Sequence, residues 1–401
     1  MSMPLKARFA IAAVIFSCPF ASAQSLKECI EQNRHPISLD EKALSGPGAD
    51  ILLWHARDSE FTLIGESHGN RETCSVGSWF LENLKGAGYK AFVTETGPSS
   101  TSVLLDAAKD RGLEGVAQTI RETPFSVAFL NHKEEAALFA HAATMGYECW
   151  GIDQEFMGSP RLILGALKQR AETETARTAI NSALENAWDG FKHYAQTGSR
   201  EKAFMFTAGA GQWNQLLEVF DAGSNERKMI EQLLISQRIY GMYHKGDFFK
   251  SNSLRIDFMK RMFSERIQAS PDCRVLLKIG SAHAGRGYSP FDQLDVGNHA
   301  AEMAFARGGK SLHVLVLARK LIESDGKATD LVSETSPIRH FSQPGNESES
   351  QLFHLAELRS ILAESKTKTA YPELSNLAFR YDFLLVLPEF HPSEPLVPIP
   401  K

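Results

Sequence analysis

Six short apolar runs, each closed by glycine or by polar residues, set the fold class of this 401-residue chain. Phe61-Thr62-Leu63-Ile64 runs into Gly65, Ala91-Phe92-Val93-Thr94 into Glu95 and Gly97-Pro98, and Tyr147 to Ile152 into Asp153. Arg274 to Ile279 is halted by Gly280, and Leu312 to Leu317 and Phe383 to Leu387 complete the set. Between them lie stretches of helical period, with Val76, Trp79, Phe80 and Leu84 on one face, and Glu134 to Met145 ending at Gly146. Strands that are apolar on both sides must be covered on both sides. The pattern therefore predicts an α/β fold: a mostly parallel β-sheet covered by helices on both faces.

Arg161 to His244 breaks this rhythm. It is rich in Ala, Glu, Lys, Leu and Gln, holds no strand pattern, and is divided by Gly198, Gly209, Gly211 and Gly223. It reads as a helical insertion over about 161–245, between the third and fourth core strands. The sequence leaves open whether it caps one end of the sheet or packs on a face. Residues 24–390 read as a single α/β hydrolase-like domain. Gly326 to Ser350 reads as a long polar loop, with a glycosylation sequon at Asn346-Glu347-Ser348. The segment from Pro388, with five prolines in 14 positions, reads as an irregular Pro-rich tail over 391–401.

The first 23 residues stand apart from the core. Lys6 and Arg8 precede an apolar run from Phe9 to Phe20, and Ala21-Ser22-Ala23 supplies the small residues of a cleavage site. This is the pattern of a secretory signal peptide. No later stretch reaches the roughly 18 apolar residues of a membrane-spanning helix. The mature chain is expected to be exported, periplasmic or secreted, without a transmembrane segment. Of its cysteines, Cys149 and Cys273 lie in strand-like runs and read as buried thiols, leaving Cys29 and Cys74 as the favoured disulfide. No Cys-x-x-Cys pair suggests redox or zinc chemistry. A formal charge of −5 gives no broad basic field, which argues against nucleic acid as the main partner. The expected partner is a small-molecule substrate. The oligomeric state is not legible.

Chemistry collects where the strands end, the edge at which open α/β sheets hold ligands. In Gly65-Glu66-Ser67-His68-Gly69 the acid and the imidazole are two apart, so on extended backbone they project to the same side. A carboxylate there can orient the imidazole, tune its pKa or share a metal. Thr94-Glu95-Thr96-Gly97 and Gly151-Ile152-Asp153 add two acids at the same edge. Lys278-Ile279-Gly280-Ser281-Ala282-His283 adds a second histidine among small residues, with Lys278 and Ser281 as further candidates. There is no phosphate loop and no Gly-x-Ser-x-Gly elbow, although Ser67 and Ser281 both adjoin histidines in sequence. Arg255 reads as opening a helix capped by Ser251 or Ser253, sharing a face with Met259.

In this order the pieces resemble the erythromycin esterase-like and ChaN-like superfamily, which includes the TraB/Tiki proteins. They are Gly65-Glu66-Ser67-His68-Gly69, Glu95-Thr96-Gly97, Gly151-Ile152-Asp153, Arg255-x-x-x-Met259, Ala282-His283 and Tyr381-Asp382-Phe383-Leu384. The resemblance covers roughly residues 60 to 390. It implies hydrolysis of an ester or related acyl bond without a serine triad. His68 would act as general base on water, Glu66 and Glu95 would orient it, and His283 and Arg255 would stabilise charge. The first Glu and His stand two apart here, as in the ChaN-like branch, where the esterases have three. Two alternatives follow from the same resemblance: a haem-binding protein, or a metal-dependent protease with Glu66, His68, Glu95 and His283 around a divalent ion. In the preferred reading no cofactor is required, and a His68 that is neutral at neutral pH removes the proton from water, an effect worth about 10²–10⁴-fold.

Overall fold

Mostly apolar runs form the centre of one large sheet. The computed structural model describes residues 25–41, 43–334, 336–342 and 347–397. The expected export signal and Asn346 of the sequon lie outside the described residues. The strands are β1 (Arg34–Pro36), β2 (Ser38–Asp40), β3 (Ala43–Ser45), β4 (Phe61–Glu66), β5 (Tyr89–Thr94), β6 (Glu148–Gly151), β7 (Arg274–Gly280), β8 (Ser311–Ile322), β9 (Ala328–Asp330), β10 (Gln351–His354) and β11 (Phe383–Phe390). The helices before the insertion are α1 (Leu26–Gln32), α2 (Pro47–Arg57), α3 (Arg71–Leu84), α4 (Pro98–Glu122) and α5 (Lys133–Thr144). Those of the insertion are α6 (Pro160–Arg170), α7 (Glu174–Thr197), α8 (Phe204–Thr207), α9 (Ala210–Glu218) and α10 (Asn225–His244). After it come α11 (Phe248–Ala269), α12 (Ser281–Ala284), α13 (Val296–Ala306), α14 (Arg359–Leu362), α15 (Ser365–Ala370) and α16 (Pro372–Arg380).

The sheet runs β1-β10-β11-β8-β4-β7-β5-β6, with β9 paired to β8. From β11 to β6 every neighbouring pair is parallel, and β1, β9 and β10 pair antiparallel. The chain leaves β4 for β5 and β6, returns to lay β7 between β4 and β5, and then crosses to β8 on the other side of β4. The carboxyl ends of β4, β7 and β5 thus meet where the winding reverses, the place such sheets use for ligands. Register aligns them: Glu66 lies beside Gly280, and Thr94 beside both Lys278 and Gly151.

Both faces are covered, as the apolar runs require. On one side Ile64, Phe92, Leu276 and Val314 pack on Trp79, Phe80 and Leu84 of α3, Leu104 of α4 and Phe139 of α5. On the other, Leu63, Val93, Leu277 and Leu384 pack on Met259 and Phe263 of α11, Ala300 of α13 and Leu374 of α16. The insertion has its own core, built from Ile163, Leu167, Ile180, Trp213, Leu216 and Leu233. It meets the body at the carboxyl edge of the sheet: the Glu155 N–H donates to Ser236 of α10 at 2.9 Å, and Ser99 is hydrogen-bonded to Gln232. It is a cap over that edge, and this settles the alternative the sequence left open.

Four features differ from the sequence reading. The 25-residue α4 begins at Pro98, which reads as a strand stop but serves as the first helical residue, and a break at Arg111–Gly112 hides its period. The 326–350 loop contains β9 and a 3₁₀ turn over Pro337–Phe341. Arg255 lies in the third turn of α11, which Asp247 caps, so neither Ser251 nor Ser253 starts the helix. Cys29 and Cys74 form no bridge. All four described cysteines are free and buried, and these two lie in cores on opposite faces of the sheet, where no disulfide geometry connects them.

Of the expected Pro-rich tail, 398–401 lie outside the described residues, and 391–397 lack regular secondary structure but are docked. Backbone N–H groups of Arg71, Ser393, Lys133 and Leu396 donate to carbonyls of His391, Gly69, Glu394 and Asn131 at 2.7–3.0 Å. The segment ties the loop after β4 to the loop before α5. No described helix is long and apolar enough to cross a membrane.

Candidate active site

Two close approaches at the sheet edge require glycine. A Cβ on Gly65 would lie 2.9 Å from the Tyr381 hydroxyl, which donates to the Ser281 carbonyl at 2.5 Å. A Cβ on Gly280 would lie 2.7 Å from His68 Nε2 and 3.1 Å from Glu95 Oε2. The bare Gly280 backbone instead donates its N–H to Glu95 Oε2 at 2.6 Å. The strand β7 therefore lets the motifs of β4 and β5 close over it.

The result is a chain of alternating charge. Glu135 of α5 holds Lys278 Nζ at 2.7 Å, and Lys278 holds Glu66 Oε2 at 2.6 Å. Glu66 Oε1 accepts from His68 Nδ1 at 3.1 Å, and His68 Nε2 lies 3.4 Å from Glu95 Oε2. Glu95 Oε1 accepts from Arg255 Nη2 at 2.8 Å and lies 3.7 Å from His283 Nε2. Asp153 takes Arg255 bidentately at 2.6 and 2.7 Å, a geometry suited to a guanidinium. Asp295, the N-cap of α13, fixes His283 Nδ1 at 2.9 Å. Glu66, His68, Glu95, Asp153, Arg255, Lys278 and His283 are thus brought together. Ser281 opens α12 beside His283 without a described hydrogen bond from its hydroxyl. Neither Ser281 nor Ser67 meets an imidazole among the described contacts, so no serine nucleophile is assembled.

Exposure differs between the imidazoles. The His68 side chain is 30% exposed and stacks on Phe129 at 3.9 Å, whereas His283 is 4% exposed and lies beneath Phe291. Burial pulls the His68 pKa down, but hydrogen bonds to Glu66 and Glu95 and their charges outweigh it and push it up to about 10. His68 is then an imidazolium at neutral pH, in contrast to the neutral imidazole expected from sequence. Burial also disfavours charge on His283, yet Glu95 and Asp295 raise its pKa. Burial raises Glu66 and Glu95, but Lys278 and His68 for the former, and the two histidines with Arg255 for the latter, bring both below the ordinary carboxylate value.

Glu155 is a separate case. It is fully buried at the α4 N-terminus, accepting from the Ser99 N–H at 2.6 Å and from the Ser100 hydroxyl at 2.5 Å. Burial pushes its pKa to about 7 against those hydrogen bonds.

Glu135, Asp295 and Phe129 escaped the sequence reading. An N-cap signal marks Asp295, since its carboxylate accepts from the Val296 N–H. Nothing local marks Glu135, one of two adjacent acids in the first turn of α5, or Phe129, in a left-handed turn at φ 59°.

The set of Glu66, His68, Glu95 and His283 does not fit a divalent metal. Lys278 occupies Glu66 Oε2, while Arg255 and the Gly280 N–H occupy Glu95, so a dication would displace two cations from their carboxylates. Among the described residues no three His, Cys, Asp or Glu side chains are arranged around a metal position. Nor does the site offer a haem ligand at neutral pH, because the His68 imidazolium carries a proton on Nε2 and His283 is sealed between Asp295 and Glu95.

A cleft of about 990 Å³ opens between the cap and the sheet edge. Arg255, Gln154, Met157, Phe206 and Tyr240 line it, and so the cleft reaches the outer end of the charge chain.

No family model matches the chain, and no curated protein matches it in sequence. Solved structures do resemble it in fold. A mutant of the erythromycin esterase EreC in its open conformation superposes with a TM-score of 0.63 at 15% identity, over 91% of this chain and 100% of the other. A Bacillus cereus protein gives 0.55 at 14% identity, over 92% and 98%. A succinoglycan biosynthesis protein gives 0.57 at 10% identity, over 92% and 97%. The chain has the fold of these proteins, the one its motif order resembles.

Proposed function

We propose that this protein is an exported hydrolase that cleaves an ester or related acyl bond with water activated by His68. The observation carrying this reading is that one carboxylate, Glu95, is shared by a solvent-reachable and a buried imidazole beside an arginine. Nδ1–H of His68 stays donated to Glu66. The looser Nε2 contact at 3.4 Å is the one that opens to water once His68 is neutral. Nε2 takes the proton as the hydroxide oxygen adds to the acyl carbon. The alkoxide oxygen so formed lies toward Arg255, whose Nη1 makes none of the described hydrogen bonds; the guanidinium charge stabilises it. On collapse the acyl–oxygen bond breaks, and the leaving alkoxide recovers the proton from His68. Export rests on the signal-like first 23 residues.

The test is hydrolysis of p-nitrophenyl acetate by the wild-type protein and by His68→Ala. Loss of turnover with an unchanged circular dichroism spectrum supports the assignment. Equal turnover by both overturns it.

A further inference from the structure

The charge of the cleft is at odds with that of the chain. The protein is acidic overall, yet Arg200 and Lys245 both reach the cleft and are exposed. Glu201 is the sole acid among the described lining residues, and it is turned to His193 at 3.3 Å. Arg255 is ion-paired with Asp153 and Glu95, whereas Arg200 and Lys245 form no ion pair among the described residues, so the positive charge open to an anion lies on their side. The cleft is also lined by the apolar side chains of Met157, Met205 and Phe206 and by Tyr240. The volume is that of a small-molecule site.

We propose that this cleft binds the acyl part of the substrate, an apolar chain or ring ending in an anionic group. The anion is held by Arg200 and Lys245, the apolar part lies along Phe206 and Tyr240, and the carbonyl end meets the Arg255 guanidinium. This names the substrate class of the hydrolase proposed above and rests on that reading for turnover, but not for binding.

Two p-nitrophenyl esters of equal length separate the ideas: the neutral octanoate and the monoanionic hemisuberate. The wild type should prefer the hemisuberate in kcat/KM. The double variant Arg200→Glu, Lys245→Glu should lose roughly tenfold on that ester through KM, and stay within about twofold on the octanoate. Binding of suberate to His68→Ala, followed by tryptophan fluorescence, gives a readout independent of turnover and should vanish on the same charge reversal. Suberate binding without hydrolysis of either ester would sink the hydrolase reading and leave the cleft assignment standing. Hydrolysis of both esters with equal efficiency, and suberate binding indifferent to charge reversal, would overturn the cleft assignment.

Discussion

His68, in the turn after β4, and His283, in α12 after β7, share the two oxygens of one carboxylate. Glu95 Oε2 lies 3.4 Å from His68 Nε2, and Oε1 lies 3.7 Å from His283 Nε2. Glu95 itself is held by the Gly280 N–H and by Arg255, so neither imidazole can shift without disturbing the other's partner.

Activity should rise with pH. The proposed base works only when neutral, and its pKa is pushed up to about 10. Log kcat/KM for an activated ester is expected to climb with unit slope from pH 6 until it levels near pH 10. A profile flat between pH 6 and 9 would exclude His68 as the base. The same shift has a stability consequence. The pKa is raised above its unfolded value, so the ion pairs of His68 stabilise the fold fully below about pH 6.5 and are lost as pH rises toward 10. Urea midpoints at pH 6 and pH 9.5 test this, and His68→Gln should narrow the difference.

Glu135→Gln should act at a distance on His68. Lys278 is buried between Glu135 and Glu66, and removing one partner of such a group costs about 3 kcal/mol. Lys278 would then hold Glu66 more completely and weaken its pull on the His68 proton. The expected outcome is a lower urea midpoint together with an alkaline limb displaced to lower pH. Destabilisation with an unmoved pH profile would reduce Glu135 to a structural role.

Gly280→Ala tests the close approach directly. The added methyl would fall 2.7 Å from His68 Nε2, so the imidazole must move by several tenths of an ångström. A misplacement of about 1 Å can cost about 10²-fold in rate, which sets the upper bound here. kcat is expected to fall by up to that factor while the far-ultraviolet spectrum is retained; undiminished kcat would show that the packing there does not position the base.

Truncation after Phe390 should damage activity more than folding. The lost segment joins Gly69 beside His68 to Asn131, two residues beyond the Phe129 that stacks on His68. Among the described residues its removal deletes four backbone hydrogen bonds, offset by chain entropy, for about 2 kcal/mol. A thermal midpoint lowered by several degrees and a larger loss of kcat/KM are expected. Full activity in the truncated protein would exclude the strap from the site.

The central strands were legible because apolar runs closed by glycine permit little else, and the Glu66–His68 pairing because side chains two apart on a strand share a side. The sequence likewise placed Glu95, Asp153 and His283 at strand ends. Other features were set by contacts between distant segments, which leave no local mark. Pro98 stops a strand and starts a helix in the same place, so α4 was hidden. Cys29 and Cys74 look equivalent along the chain, yet the sheet separates them. Glu135 looks like any acid in a helical first turn until α5 lays it against Lys278. The protonation of His68 was decided last of all, because it depends on two carboxylates converging in a partly buried space. Sequence gives the ionisable groups and their order; only packing gives the distances and the local dielectric that decide which of them carries the proton.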